Sequence, residues 1–435
     1  MRGSASTSAD AAEWFGQPRG LTILFLTEMW EKFSFYGMRS LLVLYMTKHL
    51  LIAQQQASWI YGTYAALVYL TPVFGGLIAD RWLGRRSAII SGGLIMAAGH
   101  FMMASESLFF LALGTIAIGS GLYLPSLPSQ IDSLYAHDDP RRKSAYNVYY
   151  VGVNLGAFAA PIVVGTVGEI YSFHWGFAIA GFGMITGLLT YMAGARYLPP
   201  ELPLRVPNPV PAPGARQTQS DGLMKRFAIL AGIAAIVVIF RGAYEQFGNT
   251  VALWADQSVD RTVTATLSIP VTWFQSLNPL LVFVLTPLLV MGWTKQAKQG
   301  RELASANKMS IGALIVALSY LFVAAAAFWS EQHGGRVGWP YMALFIAAMT
   351  AGELYILPVG LGLFGRLAPK GLTATTIALW FSAGVLGNLF AGWLGTLWSP
   401  LSHSLFFAVI GAVALTAALL LVLLAPKVTL VEQRA

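Results

Sequence analysis

Apolar residues run almost unbroken through twelve stretches of the chain. The first six lie near 21–46, 57–79, 87–104, 108–134, 144–168 and 172–195. The second six lie near 227–254, 264–292, 309–328, 339–365, 372–395 and 401–425. Runs of this kind match the length a helix needs to cross the hydrocarbon of a bilayer. None shows the strict alternation of a membrane strand. An open chain in lipid must satisfy its backbone within each segment, so all twelve are predicted to be helical. Between the sixth and seventh runs, Leu198 to Met224 contains seven prolines and several polar residues. That stretch is too polar and too short for an additional transmembrane hairpin and reads as a solvated linker. The predicted organisation is a tail (1–20), a six-helix bundle (21–197), a Pro-rich linker (198–224), a second six-helix bundle (225–426) and a tail (427–435).

Composition agrees with this pattern. Of 435 residues, 56% are hydrophobic and 11% charged, against roughly 25% charged in a soluble domain. The mean hydropathy is +0.63. The net charge of +8 would suit nucleic acid, but the bases sit in short loops between apolar runs, which is the distribution of membrane topology. Arg81, Arg85 and Arg86 follow the second run, Arg141, Arg142 and Lys143 the fourth, and Arg196, Arg205, Arg216, Lys225 and Arg226 the sixth. Lys295, Lys298, Arg301 and Lys308 follow the eighth, and Arg366 and Lys370 the tenth. The opposite side has only Lys48, Arg261 and Arg336. The positive side faces the cytoplasm, so a multi-pass protein of a plasma (bacterial inner) membrane with both termini inside is expected. With no cysteine, disulfides and thiolate metal sites are excluded.

One run departs from the apolar rule. Glu28, Glu31, Lys32, Phe35 and Arg39 fall within an arc of roughly 100° on a helix. Ile23, Met29, Phe33, Leu41 and Leu44 occupy the opposite face. An ionised side chain in a bilayer costs several kcal/mol unless it is paired or faces water, so the stripe is expected to look into the protein or a wet cavity. Glu28 and Lys32, four apart, also suit a simple neutralising pair that lets the helix insert.

The opening motif, Glu28-x-x-Glu31-Lys32-Phe33-x-Phe35-Tyr36-Gly37, resembles the E-x-x-E-R-F-x-Y-Y-G signature of proton-dependent oligopeptide transporters. That family lies within the major facilitator superfamily. The loop Gly75-Gly76-Leu77-Ile78-Ala79-Asp80-Arg81-Trp82-Leu83-Gly84-Arg85-Arg86 is similar to the superfamily's loop between spans two and three. Tyr69, Asn154, Glu245-Gln246, Asn278-Pro279, Gly352-Glu353-Leu354 and Trp380-Phe381 extend the likeness along nearly the whole chain. Two positions depart from it. Leu124 stands where a lysine is usual, and Arg241 where a tryptophan is common.

The resemblance implies twelve helices in two bundles, with no extra hairpin between them, that alternate around a midplane site. It implies a symporter importing di- and tripeptides, with the proton as coupling ion, no cofactor and no metal. No partner beyond peptide, proton and bilayer is implied, and a monomer suffices. Substrate contacts fall on Lys32, Phe35, Tyr36, Arg39, Tyr69, Asn154, Arg241, Asn278, Glu353 and Trp380. A free peptide is a zwitterion with constant ends and variable side chains, so bases for its carboxylate and an acid for its ammonium are the minimum set. Lys32 and Arg39 suit the first, Glu353 the second. Asn154 and Asn278 suit amide contact or interhelical bonding alike. Proton coupling falls on Glu28, Glu31, Lys32 and Glu245, and gating on Arg39 with Glu245 and on Asp80, Arg81 and Arg85. Arg241 and Glu245, four apart, also suit a local pair. Two other readings remain: a carrier of this fold for nitrate, an amino acid or a drug, and a non-transporting peptide sensor. His49, His137, His174, His333 and His403 fall in loops or at span ends, and His100 is alone in its run. No phosphate loop, nucleophile elbow or metal-spaced cluster appears, which argues against a pump or an enzyme.

Overall fold

The computed structural model describes residues 13–136, 138–200, 220–368 and 372–433. Twelve long helices carry the chain. The first six are α1 (Arg19–Leu44), α2 (Gln54–Ile78), α3 (Arg85–Met102), α4 (Phe109–Ser126), α5 (Arg142–Ala160) and α6 (Phe173–Gly194). The second six are α7 (Ser220–Tyr244), α8 (Trp273–Lys298), α9 (Ser305–His333), α10 (Trp339–Leu367), α11 (Thr373–Gly395) and α12 (His403–Glu432). Ten of the helical stretches among the described residues are long and apolar enough to cross a membrane, with mean hydropathies from 1.4 to 2.8. The stretches built on α1 and α3 are the exceptions. For α1 the reason is the charged stripe, since Glu28, Glu31, Lys32 and Arg39 all lie within it.

The chain forms two compact units. The first comprises Met1–Leu41 and Leu70–Asn208, the second Leu42–Tyr69 and Pro209–Ala435. In the first unit α1 is gripped through glycines. A Cβ on Gly156 of α5 would collide with the carbonyl oxygen of Met29, and one on Gly183 of α6 would stand 2.7 Å from the ring of Phe33. Small residues let helix backbones approach where lipid supplies no hydrophobic drive for association. A valine at position 156 would have to push α5 off α1. Gly156→Val is therefore expected to abolish recovery of monodisperse protein in detergent, as read by fluorescence-detected size exclusion, whereas Gly114→Val is tolerated because nothing lies within 4 Å of that glycine. The inner packing of this unit joins Leu21, Leu24, Ile89, Met96, Tyr123, Leu127, Tyr149, Met184 and Tyr191.

The second unit takes in the first part of α2. Gly62 meets Gly392 of α11, and the Oγ of Ser58 donates to the Oδ1 of Asn249 at 3.1 Å. α9 packs on α10 and α12, α11 and α12 on α7, and α8 on α10.

Three boundaries differ from the sequence reading. The eighth run begins at 264, but residues 259–272 are not helical. Val259–Asp260 pairs with Val337–Gly338, Thr262 bridges Ser268, and Arg261 donates to the Ile269 carbonyl at 2.9 Å. The β-branched Thr-Val-Thr run and Pro270, which has no N–H to give, favour that small turn over a helix. The predicted tail 427–435 is helical through Glu432, whose carboxylate accepts from Ser305 Oγ at 2.6 Å and Arg366 Nη2 at 3.0 Å. That bond ties the end of α12 to α9 and α10 and carries the helix past Pro426. The linker 198–224 is cut short by α7, which starts at Ser220. Residues 201–219, with Arg205 and Arg216, lie outside the described residues, as do 1–12, His137, Lys370 and Arg434. No extra hairpin occurs between the two sets of helices among the described residues.

Candidate functional site

Chemistry in the first unit is concentrated on α1. Lys32 Nζ lies 2.6 Å from Glu31 Oε2 and 3.2 Å from Glu28 Oε1. Both acids are buried, and the lysine side chain keeps only 13% exposure. The spacing of 28 and 32 sets the first carboxylate one turn from the ammonium, and the adjacent Glu31 side chain reaches the same group. The simple neutralising pair is thus not the whole arrangement, because a second acid shares the base. Tyr36, one turn on, also interacts with the Lys32 charge. Its ring meets Phe35 edge to face at 5.2 Å, and Arg39 follows on the same helix, half-buried.

The second unit holds the other set. Arg241 Nη1 donates to Glu245 Oε1 at 2.9 Å, and both side chains are buried. The same nitrogen lies 3.4 Å from the hydroxyl of Tyr69, and the guanidinium stands over the Tyr69 ring at 5.1 Å. The local pair considered for Arg241 and Glu245 is present, and Tyr69 completes it with a cation–π contact. Gly387 lets α11 close over the Arg241 stem. Close by, Asn278 Nδ2 donates to Glu353 Oε2 at 2.7 Å and to Thr350 Oγ1 at 3.1 Å, and Tyr244 donates to Glu353. Glu353 also interacts with Arg241 and Glu245. α7 with the turn that follows it, α8 and α10 thus bring two acids, one guanidinium and one amide into a single polar group.

Other expected residues sit differently. Asn154 donates back to the Tyr150 carbonyl of its own helix at 2.9 Å, which is neither an interhelical bond nor an open amide. Trp380 is buried, with its ring against Gly360 and edge to face with Phe364 at 5.1 Å. Asp80 and Arg81 are exposed in the wide turn Ala79–Leu83. Gly84, at φ +77°, receives that turn, a backbone that glycine tolerates best. Asp80 makes no ion pair among the described residues, while Arg85 donates to the Ser129 carbonyl at 3.0 Å. Outside the membrane, Arg141 holds Asp139 below the usual carboxylate range through bonds to both of its oxygens.

The sequence reading missed Tyr123, Tyr149, Tyr244 and Thr350. The first two are buried near the charges of Glu28 and Glu31. Thr350 lies one turn before Glu353, and Tyr244 directly precedes Glu245. Their proximity in the chain to the candidate residues Glu353 and Glu245 was the available signal. For Tyr123 the signal was its place beside Leu124.

The family model described as POT family matches residues 86–203 and 213–413. A di-/tripeptide transporter of Lactococcus lactis subsp. cremoris is 30% identical over 94% of this chain and 96% of its own. Peptide transporter YePEPT of Yersinia enterocolitica subsp. palearctica is 31% identical, with 88% of each chain covered. Among solved structures, a peptide transporter POT in complex with sulfate has a TM-score of 0.88 at 30% identity, covering 97% of both chains. A POT family transporter in complex with 5-aminolevulinic acid has a TM-score of 0.88 at 26% identity, covering 97% of this chain and 99% of that one. Matches of this extent span both sets of helices and both polar groups. The chain is a multi-pass membrane transporter with the major facilitator fold, not an enzyme, and belongs to the POT family.

Proposed function

We propose that this transporter imports di- and tripeptides by proton-coupled symport with alternating access. One observation carries the reading: the buried Glu28–Lys32–Glu31 cluster, in which two acids compete for one base. Lys32, with Arg39, takes the peptide carboxylate, and as Lys32 does so one of the two acids takes up a proton. Removing a counter-charge from a buried carboxylate favours its neutral form. Peptide arrival and protonation are thereby coupled. Glu353, oriented by Asn278 and Tyr244, takes the ammonium. Glu245 is the second proton site. Phe35, Tyr36, Tyr69, Asn154, Arg241 and Trp380 shape the pocket, and gating falls to Arg39, Glu245, Asp80, Arg81 and Arg85 on the resemblance. The relatives named as di-/tripeptide transporters support the substrate class.

The test is uptake of labelled dialanine into proteoliposomes under an imposed pH gradient. Accumulation above the equilibrium level is expected, competed by other dipeptides and not by free amino acids or nitrate. Competition by the latter would replace peptide with another solute, and binding without flux would make the chain a sensor. Leu124 in the lysine slot favours another small zwitterion as the second reading, in line with the relative bound to 5-aminolevulinic acid. Glu353→Ala removes a charge-assisted contact of about 1.5–3 kcal/mol. Dialanine uptake is expected to fall ~10–100-fold, measured as initial rate at low substrate.

Both termini are proposed to be cytoplasmic, in a bacterial inner membrane. The absence of cysteine makes this easy to test. Ser87→Cys, exposed in the first turn of α3 beside the basic loop, should react with an impermeant maleimide only after the cells are opened. Ala265→Cys, in the loop before α8, should react in intact cells. The reverse pattern would invert the topology.

A further inference from the structure

The cluster on α1 carries an imbalance. Two buried acids share one base, and in the proposed cycle that base is drawn away by the substrate carboxylate. One acid then takes the coupling proton. The other stays ionised in a dry interior with no cation, a state that costs several kcal/mol unless donors reach it. Leu124, on α4 where a lysine is usual, brings no charge to it.

Two phenols stand in that position instead. Tyr123 on α4 is fully buried and Tyr149 on α5 is 7% exposed, and both interact with the charges of Glu28 and Glu31. Glu28 Oε2 and the Tyr149 hydroxyl are both buried without a hydrogen-bond partner at standard distances. The Tyr123 hydroxyl makes a long contact of 3.5 Å to the Thr27 carbonyl, one residue from Glu28. The glycine contacts of α5 on α1, at Gly152 and Gly156, flank this point and fix the distance between the helices.

Other titratable groups facing the cluster are accounted for. Tyr36 of α1 interacts with Lys32. Tyr191 of α6 neighbours Tyr123, but its hydroxyl is engaged by Gln130 at 2.8 Å. His100 of α3 is buried and feels no charge from the cluster.

We infer that Tyr149 and Tyr123 are positioning residues of the coupling site, whose hydroxyls receive the Glu28 carboxylate when Lys32 turns to the substrate. A phenol donates a hydrogen bond without adding a charge, so the exchange leaves the net charge of the pocket unchanged. Tyr149, with its orphan hydroxyl beside an orphan carboxylate oxygen, is the principal donor to the freed carboxylate, and Tyr123 is the second. The proposal rests on the proton-coupled reading above.

The test uses the full chain with Tyr149→Phe, Tyr123→Phe and the double change. Two measurements keep this proposal apart from the peptide assignment. The first needs no substrate: infrared titration of the carboxyl C=O band in purified Lys32→Met protein, in which the base is withdrawn from Glu28, with Glu28→Gln identifying the Glu28 component. Adding Tyr149→Phe should make that component appear at a pH at least one unit higher than in Lys32→Met alone. The second is transport in proteoliposomes. Dialanine counterflow should stay within twofold of the parent, while gradient-driven accumulation should fall about tenfold in the double variant, with its pH profile displaced to higher pH. A Glu28 band unmoved by both substitutions would overturn the proposal, whatever the substrate proves to be. So would loss of counterflow in step with driven uptake, which marks a structural role. If the band moves but dialanine is not carried, the peptide assignment fails and the tyrosine assignment stands.

Discussion

Glu31→Gln should abolish accumulation of dialanine against its gradient while leaving counterflow close to that of the parent chain. The substitution keeps the shape of the side chain and removes the acid that takes up a proton as Lys32 turns to the substrate, so binding and conformational exchange persist while proton uptake is no longer tied to the peptide. The size of the effect follows from the gradient. Each proton moved inward supplies about 1.4 kcal/mol per pH unit and about 2.3 kcal/mol per 100 mV. With roughly 5 kcal/mol available at ordinary gradients, one proton per substrate supports an accumulation of several thousandfold. In the variant the ratio of internal to external substrate should collapse to about one. Lys32 would then face Glu28 alone, at its present 3.2 Å, and the helix stays neutralised, so the loss is one of coupling and not of folding. Uptake against the gradient that survives the change would remove Glu31 from the coupling site.

The second large effect is on stability. Arg241 and Glu245 are buried together in the second unit. Deleting one member of a buried pair leaves the other charged in a poorly solvated place, which costs about 3–5 kcal/mol, whereas replacing both with apolar residues of similar volume is often neutral. Glu245→Ala is therefore expected to lower the thermal midpoint in detergent sharply. Tyr69 and Glu353 remain near the guanidinium but cannot replace the lost contact at 2.9 Å. Arg241→Met combined with Glu245→Leu should recover most of that loss while remaining inactive in driven uptake. Recovery of stability without recovery of transport separates the structural work of the pair from the functional work of Glu245. A single Glu245→Ala variant as stable as the parent would show that the pair contributes little.

The twelve helices were legible because one requirement, spanning an apolar layer with all backbone groups satisfied, writes itself into composition over some twenty residues at a time. The charged stripe on α1 was legible for an equally local reason: residues 28, 31 and 32 are neighbours on any helix, so their meeting needs no tertiary knowledge. The same locality exposed the Arg241–Glu245 pair. The motifs that carry the family likeness are mostly of this short-range kind.

What the tertiary structure decided is long-range. Tyr69 meets Arg241 across 172 residues of sequence, and Glu432 reaches Ser305 across 127, extending α12 where composition suggested a tail. The stretch Leu42–Tyr69 packs with the second unit although it lies among the first six helices in the chain. Tyr123 and Tyr149 turned out to border the Glu28 cluster only once glycine contacts had set how closely α5 approaches α1. Hydropathy states that a segment crosses the membrane. Which way the helix is rotated, and which side chain meets which, depends on the shape of small-residue contacts between helices. That shape leaves no periodic trace in most of these helices, because the faces that meet neighbours and the faces that meet lipid are both apolar.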